Sequence, residues 1–393
     1  MADLAWRLWR DGYRALPEER ARHDGADTFE TRLLGRRALV VRGPAGARLF
    51  YDTSVIRRYD AIPAPLASLL FGAGAVHGLD DAEHAARKSM FLGLLTPERI
   101  APLVTAVERE LARRAARWRG RVAVFDELVE VYGTAVLPWA GISCSRRRAA
   151  RLARRLARIV DGFGGVPTAY ARGWAARIAA NRWARRLVES VRIGETIPPA
   201  GSVLAVIAGS DLPAPVAAVE LINVLRPTVA VAWPGTFVAV ALAEHRQWRE
   251  LLGDAQRRVA FAHEVRRRYP FVPALAGRVR RDADALGRHL NAGDRVVLDV
   301  VGTDHDPQAW PDPEDFLPSR FARGEPDPYE LVPQGGGDAC TGHRCPGEPL
   351  TVRLLAATAG VLAGVDFAPI DTSYDVTRIP TLPPRGLRVL VSR

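Results

Sequence analysis

Lysine is all but missing from this chain: of 55 basic residues, every one except Lys88 is arginine. So strong a skew, beside abundant Ala, Gly and Val, marks a GC-rich coding genome rather than a nucleic-acid surface. The only aromatics within the arginine runs are Trp174 and Trp183, too few for the interleaved stacking that such a surface requires. The densest runs, Arg146 to Arg158 and Arg172 to Arg186, sit among Ala, Leu and Trp at helical spacing, so solvated helix faces account for them. The formal net charge of +11 still directs attention to acidic partners or substrates. Cysteine is scarce as well. Three, an odd number, argue against a disulfide framework. The N-terminal residues Met1 to Tyr13 lack a continuous apolar core, so neither a signal peptide nor an anchor is expected. The one charge-free stretch, Pro227 to Ala243, is barely long enough to cross a bilayer and is interrupted by Pro234 and Gly235. It is expected to be a buried central helix in a cytoplasmic protein with no membrane span and no nucleic-acid partner.

What is present is enough apolar residue, 48%, to bury a large core. Repeats, flexible linkers and low-complexity segments are absent, and one domain over residues 1–393 is expected. An amphipathic helix is predicted over Ala2–Leu16, strands over Phe29–Leu34 and Arg37–Val41, and a helix over Pro44–Tyr51. Helical periodicity then dominates: Asp81–Leu95, Pro97–Arg117, Phe125–Trp139, Arg146–Gly162 and Ala171–Val191. It continues in Pro213–His245, broken near Pro227 and Pro234, and in Gln256–Tyr269, ended by Pro270. Short strand-like pieces follow at Gly277–Arg280 and Arg295–Val300, then a polar loop from Gly302 to Gly347. A last helix, Glu348–Leu362, and a strand-like tail at Leu387–Val391 complete a mostly α chain with small β-sheets.

The polar loop ends in a glycine-rich run from Pro333 to Gly347 that delivers Cys345 to the start of the last helix. Helix-start amides favour thiolate over thiol. His343, two residues earlier, is placed to meet an anionic group on the same ligand. A heme iron with propionates suits that pair, and thiolate ligation favours O–O cleavage. Two blander readings stand beside it: an inert buried cysteine, or a zinc site built from Cys340, His343 and Cys345 with a fourth ligand to be found.

This loop resembles the heme-binding loop of cytochromes P450, and three further segments agree in order and spacing. Glu264 and Arg267 resemble the family's E-x-x-R pair, Pro318 to Phe321 its arginine partner segment, and Asp304 to Phe316 the run between them. The resemblance implies the cytochrome P450 fold, a single large helical domain around a central heme b, with Cys345 as axial ligand and Glu264, Arg267 and Arg320 in a structural ion-pair network.

One departure narrows the branch. The acid–alcohol pair that the family's central helix usually carries for proton relay is missing, and Arg226 and Pro227 stand in its place. Arg226 lies in an apolar helix, with Ile222, Asn223, Val229 and Ala230 one turn away and Glu220 on another face. A buried arginine is costly unless paired, so either a distant acid or an anionic ligand must meet it. A guanidinium suits bidentate carboxylate binding.

Arg226-Pro227 resembles the signature of the bacterial fatty-acid peroxygenases and fatty-acid decarboxylases. Phe71 to Asp80, His84 to Thr96, Leu33 to Arg36 and Phe50 to Thr53 resemble the same branch, and the likeness runs from about Trp9 to Arg393, weakest over Ser145–Asp211. It implies that a fatty-acid carboxylate docks on Arg226 and supplies the acid–base group that the protein lacks. Hydrogen peroxide is then the oxidant, with no obligatory redox partner. It further implies that Phe71 packs near the iron, that Phe271 lines the substrate channel, and that Arg58, His84, Lys88, Tyr269 and His343 bind the heme. His77 matches a distal position where histidine accompanies decarboxylation to a terminal alkene beside α/β hydroxylation. Read without the family, His77 is a surface-loop histidine. Val166 and Tyr170 are expected along the channel. The rival functions are a redox-partner-dependent monooxygenase, a non-catalytic heme-binding sensor, and a nucleic-acid binder using the arginine-rich helices.

Overall fold

The computed structural model describes residues 3–164 and 167–391. Its architecture follows from where each helix places its apolar stripe. Arg146–Asp161 is started by the Ser145 side chain, which accepts from the Arg148 amide, and buries Ala149, Leu152, Ala153, Leu156 and Val160 on one face. Its arginines are left on the other. Pro167–Arg192 packs against it, burying Gly173, Ala176, Ala180, Ala184 and Val188.

The longest apolar segment forms the centre. Ala214–Ala230 and Ala232–Glu244 are almost wholly buried and pack against Val124–Trp139, Pro167–Arg192 and Glu348–Ala363. Together they are long and apolar enough to cross a membrane, yet 89% of that window is buried within the protein. The break falls at Val231, between the two prolines rather than at Pro227. Pro234 explains this: its ring displaces the carbonyl four residues earlier, that of Ala230, and it has no amide to bond there. Pro227 is accommodated inside the first helix.

Five strands form one sheet in the order Thr28–Leu33, Arg36–Val41, Arg295–Asp299, Ala274–Val279, Ile56–Arg57. Only the contact between Arg36–Val41 and Arg295–Asp299 is parallel, with Ala38 opposite Arg295 and Val41 opposite Leu298. The tail strand Arg388–Val391 pairs with both Gly120–Ala123 and Phe367–Pro369, and Ala283–Ala285 pairs with Arg288–Leu290.

The N-terminal helix predicted over Ala2–Leu16 is instead two pieces, Leu4–Asp11 and Ala15–Ala21. Gly12 turns the chain between them at φ +57°, where a Cβ would sit 2.4 Å from the Val376 carbonyl oxygen. Elsewhere the predicted helices stand within a few residues of their observed ends. The polar stretch from Gly302 takes in the end of the short helix Val300–Asp304 and the helical turn Pro318–Phe321.

Candidate functional site

The glycine-rich run folds into a tight return. Gly335 and Gly337 adopt φ of +98° and +77°. A side chain on Gly335 would collide with the Tyr51 hydroxyl at 2.7 Å, so backbone approach requires glycine. The Cys345 amide donates to the Gln334 carbonyl at 3.0 Å. Gln334 Nε2 lies 3.9 Å from Cys345 Sγ and donates to Thr351 Oγ1 at 3.0 Å. Cys345 keeps accessible surface although protein surrounds it. Burial pushes the thiol up against the opposing pull of the Gly347 amide. Among the described residues no cation is bonded to the sulfur, so a stable thiolate there calls for a bound metal cation. Zinc is not that metal. Cys340 is exposed, and among the described residues no group of three His, Cys, Asp or Glu is arranged to hold an ion.

Cationic and N–H-bearing groups converge beside this loop. Lys88 donates to the Gly342 carbonyl and, at 2.8 Å, to the Arg344 carbonyl. The His84 and His343 rings lie 4.0 Å apart. His343 Nε2 is 3.3 Å from Asp80, whose carboxylate also accepts from the Arg58 and Tyr59 amides. Burial opposes charge on Asp80, but His343 and those amides outweigh it and hold the carboxyl at about 2. Burial lowers Lys88 to about 8, and burial followed by His343 lowers His84 to about 4. Arg58 lies over the Phe50 ring at 4.0 Å and leaves its Nη1 buried without a partner. A single thiol with Arg58, His84, Lys88 and His343 around it fits a heme: one ligand for iron and several donors for propionates.

The contacts of Tyr269 are with other partners. Its ring stacks on Phe237 at 4.6 Å and its hydroxyl lies 3.5 Å from Glu244. It caps Ala255–Arg268 and lines a cleft of about 310 Å³ with Tyr13, Arg268 and Tyr374.

The second group lies across the same interior. Arg226 is 5% exposed, and its Cζ is 6.0 Å from the Phe71 ring centroid. Its Nε has no hydrogen-bond partner, and among the described residues no carboxylate lies within ion-pair distance. Burial, then the neighbouring Arg177, lowers its value to about 9. Glu220, the acid on the same helix, is committed elsewhere, to Arg87 at 2.6 Å and to Asn223 at 2.9 Å. His77 stacks on Phe71 with centroids 4.1 Å apart. It keeps accessible surface although protein atoms surround it. Burial, then Arg226 and Arg177, lowers His77 to about 3, so at neutral pH it donates only as a neutral imidazole. Phe271 meets Trp233 of the central helix edge-to-face at 6.2 Å, and its carbonyl accepts from the Tyr13 hydroxyl at 2.6 Å. Tyr170 packs edge-on against Trp174 at 6.4 Å, and Val166 lies outside the described residues.

With this geometry in hand, likeness to known proteins is decisive. A family model for cytochrome P450 matches residues 259–356. Cytochrome P450SP alpha in complex with (R)-ibuprophen superposes with a TM-score of 0.94 at 36% identity, covering 99% of this chain and 98% of that one. A variant of cytochrome P450 OleT in complex with arachidonic acid gives 0.93 at 30% identity, covering 100% and 98%. Cytochrome P450EX alpha with myristic acid gives 0.92 at 34%, covering 99% and 96%. The chain is a cytochrome P450 of the fatty-acid peroxygenase branch. Among curated relatives, cytochrome P450 3A16 of Mus musculus is 36% identical over 111 residues, 27% of this chain and 21% of its own length. Similarity to that relative therefore spans about a fifth of its length.

For this cytochrome P450, several interior residues escaped the sequence reading. Arg177 is fully buried, donates to the Phe71 carbonyl at 2.9 Å, and leaves Nε and Nη1 without partners. Among so many arginines it drew no notice, yet its place between Ala176 and Ala180 on the buried stripe of its helix was a readable signal. Arg87 and Gln334 make contacts between separate segments and have no local pattern, whereas Asn223 meets Glu220 one turn away on the same helix. In the E-x-x-R segment, Arg267 bonds Glu264 at 2.7 Å and 2.8 Å. Arg320 stands off from Glu264 at 3.7 Å and donates mainly to the Pro311 and Asp312 carbonyls.

Proposed function

We propose that this protein is a hydrogen-peroxide-dependent fatty-acid peroxygenase, oxidising the acid at the carbon α or β to its carboxylate. The observation that carries the reading is Arg226, a buried guanidinium without a protein carboxylate beside Phe71 and His77. A charge so placed costs several kcal/mol unless an anion meets it, on the order of 3–5 for a broken buried pair. A fatty-acid carboxylate is such an anion. The related structures that hold arachidonic acid, myristic acid or (R)-ibuprophen support a carboxylic acid as the ligand class.

Cys345 would hold the heme iron, and Arg58, His84, Lys88 and His343 its propionates. Bound heme supplies peroxide O–O cleavage and the oxidising power to attack an unactivated C–H bond. The chain's own residues do the rest. Arg226 captures and orients the carboxylate, which fixes the α and β carbons in the reaction zone. The surrounding Leu225, Val229 and Phe71 side chains keep water away, which strengthens the ion pair. Pro227 has no amide to give the Asn223 carbonyl, so the helix ladder is interrupted beside the docking arginine. No acid–alcohol pair is available, and Thr228 Oγ1 is spent on the Val224 carbonyl at 2.9 Å. The docked carboxylate oxygen therefore takes the proton from peroxide and returns it to the leaving hydroxide. Hydroxylation turns acid and peroxide into hydroxy acid and water. Decarboxylation turns them into a terminal alkene, carbon dioxide and two waters. A neutral His77 N–H beside Phe71 favours a share of the second outcome.

The test is to treat heme-loaded protein with hydrogen peroxide and myristic acid, without any reductase, and to separate products by gas chromatography–mass spectrometry. Hydroxy acids or a one-carbon-shorter alkene are expected. Absence of product across chain lengths overturns the reading. Turnover only with a ferredoxin and reductase would favour the partner-dependent monooxygenase.

A further inference from the structure

The loop that carries Phe71 and His77 is held by residues from three helices, and the bonds converge on one carboxylate. Glu220 is fully buried on the central helix, six residues before Arg226. Its Oε1 accepts from the Val76 amide at 2.9 Å and from Arg87 Nη1 at 2.6 Å. Its Oε2 accepts from Asn223 Nδ2 at 2.9 Å. Arg87 also donates to the Gly74 carbonyl at 3.2 Å, so guanidinium and carboxylate grip the loop at neighbouring points. At the other end Arg177 holds the Phe71 carbonyl at 2.9 Å. The chain between these grips passes through Gly72 and Gly74 at φ of +93° and +73°. A Cβ on Gly72 would lie 1.8 Å from Arg177 Nη2, so loop and arginine are fitted to each other.

Two consequences follow from this geometry. Three donors engage Glu220, so it is not available to neutralise Arg226, and the docking guanidinium stays open to a ligand. His77 follows Val76 directly and stacks on Phe71, so tying the Val76 amide to the central helix fixes both rings relative to Arg226 on that same helix.

We propose that Glu220, with Arg87, is a positioning residue that sets His77 and Phe71 against Arg226 and thereby sets the ratio of alkene to hydroxy acid. The proposal rests on the peroxygenase reading. Glu220 itself touches no reacting atom. It acts through the Val76 backbone, and small displacements of an oriented group change rates strongly.

Heme-loaded Glu220→Ala, Glu220→Gln and Arg87→Gln are compared with wild type in three readouts: product ratio with myristic acid, KM for that acid, and amide hydrogen exchange over residues 72–78. Loss of a hydrogen bond worth about 1 kcal/mol corresponds to roughly fivefold. Glu220→Ala is expected to shift the product ratio about fivefold and to speed exchange at Val76 by about the same factor. KM should stay within about twofold, because Arg226 is retained. Glu220→Gln keeps an acceptor for the Val76 amide and should restore both quantities most of the way. Should Glu220→Ala fail to take up heme, Arg87→Gln carries the same test from the half-buried end of the network. A wild-type product ratio together with wild-type Val76 exchange in either heme-loaded variant overturns the proposal. If wild type itself makes no product, the peroxygenase reading fails, and unchanged exchange at Val76 would separately discard the clamp.

Discussion

Arg267 and Arg226 are both closed off from bulk water, and the protein treats them in opposite ways. Arg267 makes two bonds to Glu264 and three more to the Asp304, Pro313 and Asp315 carbonyls. Arg226 has an aromatic ring at 6.0 Å, an unpartnered Nε and, among the described residues, no carboxylate in ion-pair range. The guanidinium is the same; what differs is who supplies the counter-charge. Where the protein supplies it, the arginine ties together the loop that leads to the cysteine. Where the protein withholds it, the desolvation cost is left for a ligand to offset. The lesson extends beyond this pair: a buried cation should be read by counting its satisfied donors, not by its burial.

The sharpest way to break this comparison is to remove the satisfied arginine. Arg267→Ala would leave Glu264 buried with only the Leu317 amide and the more distant Arg320 to face it, at a cost of about 3–5 kcal/mol. Chemical denaturation should show that loss, and the variant should take up heme poorly. Arg226→Leu should do the reverse. It removes an unpaired charge from an apolar helix, so the melting temperature should hold or rise. Product formation from myristic acid should fall by about 10²-fold or more, as when a docking or charge-stabilising donor is lost. A destabilised Arg226→Leu would mean that the arginine has a protein partner after all. The smallest effect is expected at Tyr269, whose hydroxyl faces Glu244 at 3.5 Å. Tyr269→Phe should change stability by about 0.5 kcal/mol or less and leave the heme Soret band where it is. A shifted band would place Tyr269 among the heme contacts.

Much of this was legible in the sequence where the cause is local. Cys345 follows a glycine-rich turn and precedes a helix, and Glu264 and Arg267 share one helical turn. Arg226 stands out among apolar neighbours. The helices of the middle of the chain declared themselves by their apolar spacing. Tertiary contacts were hidden. Glu220 was set aside as lying on another face from Arg226, and only the fold reveals Arg87 and Val76 as its partners. Tyr269 is assigned by likeness of position alone, and its ring contacts with Phe237 and Tyr374 have no local pattern to announce them. The bend of the central helix was foreseen near a proline. Its place at Val231 follows from the clash that Pro234 makes one turn back.

The parallel pairing of Arg36–Val41 with Arg295–Asp299 carries a consequence for biosynthesis. The early hairpin Thr28–Val41 leaves the ribosome with an open edge, which has no partner until residue 299 has emerged. Cys345 emerges after that sheet can close. The tail strand Arg388–Val391, which pairs with Gly120–Ala123, comes only at the end. Such long-range pairings fold slowly and leave strand edges exposed meanwhile. A nascent chain stalled before residue 295 would therefore hold an unpaired apolar edge at Ala38–Val41, a natural handle for a chaperone or for aggregation.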